Sequence, residues 1–334
     1  MKALVYDAPY EMTVHDVPQP SIGADEVLIQ VAYSGICGSE LSGFEGKNSL
    51  RKPPLIMGHE FSGIITEIGE QAARVRPDLQ VGSRVTANPL VTCGQCEYCL
   101  TGHQQLCPKR KLLSASLPGS NAEYVTVAAI NVLLLPDGMP LNTASLTEPM
   151  ACAVHTARIL SPQPGETALV VGAGPIGLMT VQALAAYGLK AIYCADLNAE
   201  RLAMVEALGA VPVNLKKWTG SVDIAVDAVG ATSTRVSCAK AVRPAGRVAW
   251  VGLHEAESAL PINDLIRREI VSYGSFAYNP LDFKVALDGL ASGRFALKPE
   301  WTRVEPLNAG KACFEELLHG SSVAKIWLQP GELA

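Results

Sequence analysis

Short apolar runs broken by Gly and Pro fill the first third of the chain, at residues 3–6, 27–33, 63–68, 84–87 and 123–128. Runs of that length bounded by turn residues predict strands, and together they predict a β-rich domain, closed or strongly curled. From Thr167 the pattern changes. Apolar strands at 168–171, 191–196, 222–229 and 247–252 alternate with helical periodicity at 176–187, 199–208 and around 234–242. Strand, helix and strand in that order predict a parallel sheet. The run at 211–215 is followed by only residues 216–221 before the next strand, too few for the dozen-residue crossover that a parallel pair normally needs. Either that crossover is a bare loop or 211–215 lies outside the sheet. Helices at 281–292 and 311–318 and a strand at 324–329 close the pattern, which contains no internal repeat.

A chain of 334 residues has room for about two domains. With 49% apolar and 18% charged residues it cannot be disordered as its main state. The net charge is −5 and no Lys/Arg block recurs that could neutralise many phosphates, so nucleic acid is not an expected partner. The uncharged window 167–189 is long enough to span a bilayer, but it holds Gly172, Gly174, Pro175, Gly177, Thr180, Gln182 and Gly188. It reads as strand, turn and helix, and no membrane partner is expected. Residues 1–11 lack the apolar core of an export signal, which points to the cytoplasm. In that compartment nine cysteines suggest metal or catalytic thiols over disulfides.

Cys93-x2-Cys96-x2-Cys99-x7-Cys107 places four thiols within one short segment, with Gly94 and Gly102 to let the backbone fold around a common centre. Four thiolates complete a tetrahedral Zn²⁺ and leave no open position, so this site is expected to be structural. A second motif, Gly172-Ala173-Gly174-Pro175-Ile176-Gly177, follows a strand and opens a helix, as a dinucleotide turn does. Asp196 ends the next strand, where a carboxylate hydrogen-bonds ribose hydroxyls and repels a 2′-phosphate, which predicts NAD. A third set is dispersed: Cys37 in GICGSE, His59 and Glu60 in GHEFSG, and Glu148 before Pro149. Singly each has a dull reading as core cysteine, buried histidine or helix cap. Jointly, a thiolate, an imidazole and a carboxylate are what a catalytic zinc needs if a fourth position is to stay open.

In this order and at these separations the motifs resemble the zinc-dependent medium-chain alcohol dehydrogenases, in the branch of sorbitol, threonine and related polyol or sugar-acid dehydrogenases. The resemblance implies an α/β fold in which both chain ends form a GroES-like β-rich catalytic domain and a Rossmann doubly wound parallel-sheet domain is inserted. The expected boundaries are 1–147 for the catalytic domain, with a structural zinc lobe at 90–110, then 148–276 for the NAD-binding domain and 277–334 for the return. It implies Cys37 and His59 as catalytic zinc ligands. Glu148 stands where this branch places a third ligand, direct or through water, and Glu60 is the neighbouring carboxylate that can enter the shell. Ser39 is implied as the hydroxyl that bonds the reacting oxygen. Gly172, Gly174, Pro175, Ile176, Gly177, Asp196 and Arg201 are the implied cofactor-binding residues. Cys152 and His155 read as packing residues, and His103 as a surface residue of the lobe.

The implied activity is hydride transfer between NAD and a secondary alcohol of a polyol, sugar acid or similar small molecule, with two zinc ions per chain. Alternatives are a simple secondary-alcohol or threonine-type dehydrogenase, a zinc-free quinone-type reductase, a non-catalytic NAD sensor and a zinc-ribbon nucleic-acid module. A homodimer or homotetramer is implied, paired through 254–270. Two positions depart from the family. Ser42 stands where many relatives carry a proton-relaying His, which makes Glu45 or water a candidate path. Ala277 stands where sorbitol dehydrogenases carry Arg, which argues against sorbitol as substrate. Tyr278 is left as either a substrate-side hydroxyl or a core aromatic, and the pocket walls are expected from 42–50, 112–117 and 276–280.

Overall fold

The computed structural model describes residues 1–333, which divide into two compact units, 1–148 with 279–333, and Pro149–Tyr278. The first unit is built around the strand Glu26–Gly35, whose residues are almost all buried on both faces. A strand reading VLIQVA has no polar face to turn to solvent, so it takes the centre of a sheet. The sheet runs Val132–Leu134, Arg84–Ala87, Glu60–Ile68, Glu26–Gly35, Lys325–Gln329, Thr302–Pro306, with Tyr124–Ala128 also paired to the central strand. One core packs Val27, Ile29, Val31, Phe61, Ile65, Val85 and Val125 together. A second joins Leu4, Tyr6, Phe44, Met57, Phe314 and Ile326.

Register fixes where chemistry can sit. Gly35 at the end of the central strand pairs with Glu60 on one side and with Trp327 on the other, both antiparallel. The central strand therefore ends where its two neighbours begin. Cys37 follows that end, His59 and Glu60 open one neighbour and Lys325 opens the other, so residues far apart in sequence meet at one edge of the sheet.

The second unit holds a six-stranded parallel sheet in the order Val211–Pro212, Ala191–Ala195, Thr167–Val171, Val222–Asp227, Val242–Trp250, Val271–Gly274. Numbered along the chain this is 3-2-1-4-5-6, the doubly wound nucleotide-binding order. The short connection is resolved as a bare loop, since Val211–Pro212 does pair with Ala191–Ala195 and no helix follows it. Val213, Leu215 and Trp218 pack onto the sheet core in place of a crossover helix, with the Trp218 ring 5.6 Å from that of Tyr193. The uncharged window becomes the strand Thr167–Val171 and the helix Pro175–Ala185, and among the described residues no helix is long and apolar enough to cross a membrane. The helix Thr147–Leu160 was not evident from the sequence pattern.

Candidate active site

Cys37 occupies the N-cap of the short helix Gly38–Phe44, and His59 and Glu60 lie at the start of the adjoining strand. Ligand atoms of these three side chains all lie within 4.8 Å of one another. His59 and Glu60 are buried and Cys37 is half-buried. A thiolate, an imidazole and a carboxylate at that separation suit a zinc ion that keeps a position open. The ring of His59 is oriented from behind: its Nδ1 lies 2.7 Å from Glu40 Oε1, which leaves Nε2 to face the cluster. Glu40 is itself held by the Gly58 N–H at 2.8 Å and the Ser114 hydroxyl at 2.6 Å. Burial would raise the Glu40 carboxyl, but His59, Arg51 and Ser114 outweigh it and hold it at about 2. Burial likewise works against a charged His59, and the Glu40 and Cys37 charges overcome it to lift the ring well above its ordinary value.

Sequence reasoning missed Lys325. Its Nζ pairs with Glu60 Oε2 at 2.5 Å and donates to the Ile36 carbonyl at 3.0 Å, wholly inside the protein. Desolvation pushes the ammonium down, while Glu60, then Cys37 and more weakly Glu148 raise it. The signal was available: Lys325 is the one charged residue in an otherwise apolar strand opening KIWL. Glu148 is in the first turn of the helix Thr147–Leu160, buried and near enough to act on Lys325, yet it is outside the three-residue cluster. Ser39 donates to Cys37 Sγ at 3.3 Å. Ser42 donates to the Ser39 carbonyl at 3.0 Å, and Glu45 accepts from Lys47 at 2.7 Å and Tyr10 at 3.3 Å. Neither side chain is thereby linked to the Ser39 hydroxyl. Tyr278 is buried. Cys152 is half-buried and His155 buried in the helix Thr147–Leu160.

The four thiols of the other cluster also converge. Sulfur separations are 3.5 Å for Cys96 and Cys99, 3.6 Å for Cys93 and Cys107, and 3.9 Å for Cys93 and Cys99. Sulfurs at about 2.3 Å from a tetrahedral Zn²⁺ are about 3.8 Å apart, so the donor set fits the ion. Backbone N–H groups of Gln95 and Cys96 lower the Cys93 thiol to about 6, whereas at Cys96 the Cys99 N–H is outweighed by burial and the neighbouring thiols, which raise it to about 11. In the absence of metal the cluster therefore holds its first negative charge on Cys93. Asn279 donates to the Gly102 carbonyl at 3.1 Å and so ties this lobe to the N-terminus of the helix Pro280–Ala291. His103 lies exposed on it.

In the second unit, Gly172 turns the chain at φ +100° after the first strand, and Gly174 caps the helix Pro175–Ala185 with Pro175 and Ile176 in its first turn. A Cβ on Gly177 would stand 1.7 Å from the Gly172 carbonyl oxygen, so only glycine lets helix and strand approach this closely. One on Gly174 would meet nothing within 4 Å, which leaves the helix N-terminus open to an anion. Asp196 follows the second strand. Its Oδ2 accepts from the Ala173 N–H at 2.6 Å and its Oδ1 from the Asn198 N–H at 2.8 Å, which fixes the carboxylate beside the glycine turn. Arg201 is in the first turn of the helix Ala199–Ala207, which Asn198 caps.

Comparison with known proteins agrees with this architecture. Residues 23–137 match the alcohol dehydrogenase GroES-like domain family and residues 175–292 the zinc-binding dehydrogenase family. The chain is 33% identical to D-arabitol-phosphate dehydrogenase of Enterococcus avium, over 97% of this chain and 96% of that one. It is 34% identical to sorbitol dehydrogenase of Bacillus subtilis, over 88% and 86%. Among solved structures, a short chain alcohol dehydrogenase from Escherichia coli CFT073 complexed with NADH superposes with a TM-score of 0.89 at 28% identity, covering 99% of each chain. The protein belongs to the zinc-binding alcohol dehydrogenase family, with a GroES-like domain and a doubly wound dehydrogenase domain in one chain.

Proposed function

We propose that the protein is a zinc- and NAD-dependent dehydrogenase that oxidises a secondary alcohol of a polyol, a sugar acid or a similar small molecule to the ketone. The observation that carries this reading is the convergence of Cys37, His59 and Glu60 at the end of the central strand. Cys37 and His59 would hold the ion, with Glu40 fixing the imidazole. A zinc ion bound there supplies Lewis-acid polarisation of the substrate hydroxyl. Lys325 draws the Glu60 carboxylate toward itself, which keeps a position free for substrate, and Ser39 is placed to accept a hydrogen bond from the substrate hydroxyl. NAD supplies the hydride acceptor, so that alcohol and NAD⁺ give ketone, NADH and one proton. Glu148 would enter the shell, directly or through water, when Glu60 is held by Lys325.

A second zinc would sit in the thiol lobe and do structural work. Asp196 supports NAD over NADP, since its anchored carboxylate can accept from ribose hydroxyls and repels a phosphate. An Asp196→Ser variant is expected to lose about 10-fold to 100-fold in kcat/KM with NAD, the worth of a charge-assisted hydrogen bond of roughly 1.5–3 kcal/mol. NADP turnover should rise at the same time, and an unchanged ratio of the two would refute the assignment.

The decisive experiment follows NADH appearance over a panel of polyols, aldonates, phosphorylated polyols, amino alcohols and simple secondary alcohols. Turnover of at least one, abolished by a chelator and restored by Zn²⁺, is expected. Turnover that survives complete zinc removal would favour a zinc-free reductase instead. Quaternary structure is proposed as a homodimer or a tetramer of dimers. Among the described residues the edge strand Val271–Gly274 has no outer neighbour, and Val271, Leu253, Ile262 and Ile266 are all exposed. Sedimentation should show a dimer or tetramer that Val271→Lys dissociates; a monomeric parent would end that proposal.

A further inference from the structure

Arg51 is 4% exposed, and among the described residues no carboxylate pairs directly with it. A buried guanidinium without a contacting counter-ion is costly, and it persists only where its donors are well used. Here two of them go to serine hydroxyls. Nη2 donates to Ser39 Oγ at 3.1 Å and Nε to Ser114 Oγ at 3.4 Å. The fold makes room for this: a Cβ on Gly43 would stand 2.6 Å from Arg51 Cδ, so the helix Gly38–Phe44 carries glycine where the arginine stem crosses it. Ser114 adopts φ +71°, a left-handed conformation that costs a non-glycine residue about 1 kcal/mol or more. Its hydroxyl is buried and bonded to both Arg51 and Glu40.

A guanidinium only donates, so a hydroxyl that accepts from it must direct its own hydrogen elsewhere. Ser39 directs it to Cys37 Sγ at 3.3 Å, and Ser114 to Glu40 Oε1 at 2.6 Å. One side chain thus sets the direction of two protons, one aimed at a ligand and the other at the carboxylate that orients His59. With one lone pair occupied by Arg51 and its proton on the sulfur, Ser39 has one acceptor position left. We propose that Arg51 is a positioning residue that locks the Ser39 hydroxyl so that an arriving substrate hydroxyl meets a lone pair and not a proton.

The inference rests on the proposed role of Ser39, and its test separates the two. Steady-state kinetics are measured for Ser39→Ala, Arg51→Met and the double variant, together with zinc content. A visible spectrum is recorded with Co²⁺ in the Cys37 site and zinc left in the lobe. Arg51→Met is expected to lower kcat about 10-fold to 100-fold, the scale of a displaced catalytic group, with KM for NAD unchanged and zinc retained. The double variant should be far faster than the product of the two single losses would give, because both changes remove the Ser39 function and only the lesser support that Arg51 gives Glu40 through Ser114 is lost in addition. Arg51→Met should also shift the sulfur-to-cobalt charge-transfer band in the same direction as Ser39→Ala. Multiplicative losses in the double variant, or a cobalt band unmoved by Arg51→Met, would overturn the assignment. A Ser39→Ala enzyme of parental kcat would overturn the role given to Ser39 itself. Should Arg51→Met not fold, Arg51→Lys decides: one retained donor to Ser39 should keep the parental band, and a band matching Ser39→Ala overturns the proposal.

Discussion

A His59→Ala variant is expected to lose about a thousandfold or more in kcat/KM while still binding NADH, as followed by cofactor fluorescence. The magnitude follows from what the ion contributes. Polarising a hydroxyl is worth several kcal/mol, and about 4 kcal/mol corresponds to three powers of ten. His59 is buried, its Nδ1 is fixed by Glu40, and no other imidazole belongs to the cluster among the described residues. Loss of NADH binding together with turnover would instead show a general failure of folding. Glu40→Gln should act more gently, by about 10-fold to 100-fold in zinc affinity, since it alters a ligand's support and not the ligand. The sign of the pH dependence is set by the same residues. Metal must displace the proton that Glu40 and Cys37 favour on His59, so zinc affinity should fall as pH falls. The Glu40 carboxyl is held at about 2 against an ordinary 4.5, so its contribution to stability is full above about 4.5 and is lost as pH falls toward 2.

How much of this could be read beforehand depends on how local each feature is. The thiol lobe and the glycine turn are contiguous in sequence, and spacing alone suggests their chemistry. Four strands of the parallel sheet were legible because each is an apolar run beside a helical period, whereas the edge strand Val271–Gly274, mostly exposed, gave no such run and the doubly wound order came from the resemblance. The helix Thr147–Leu160 was not, because it is buried on nearly every side and its segment MACAV shows no polar face to reveal a helical repeat. Nor could spacing decide the crossover before the second half of the sheet, where Trp218 substitutes for a helix by covering Tyr193. The dispersed cluster was suggested by its residue types and given its ligand roles by resemblance, since only strand pairing brings Gly35 against Glu60 and Trp327. The supports of that cluster were invisible for the same reason. Lys325 meets a carboxylate 265 positions away, and Ser114 reaches Glu40 across 74. Buried charge in an apolar strand is the one local cue that Lys325 offered.

A Cys107→Ser variant is expected to bind one zinc fewer per chain and to be cleaved within 93–111 about a thousandfold faster or more in limited proteolysis. The lobe has little else to hold it. Tyr98, Leu100 and Leu106 are exposed, and its buried side chains are Cys99, Cys107 and Gln105. Its regular structure amounts to the helix Glu97–Leu100 and the turn Gln104–Leu106, too short to be stable alone. Apparent binding of a structural zinc is worth roughly 10–16 kcal/mol, which exceeds anything such a segment can gain by burial. Losing even about 4 kcal/mol of it raises the opened population by about a thousandfold. Because opening is local, the sheet around Glu26–Gly35 should stay protected from cleavage while the lobe is cut. The Asn279 bond to Gly102 then loses its partner, so the N-terminus of the helix Pro280–Ala291 should gain amide exchange before any other helix of its unit. Unchanged zinc stoichiometry in Cys107→Ser, or cleavage that begins in the sheet, would show that the four thiols are a packed cluster and not a metal site.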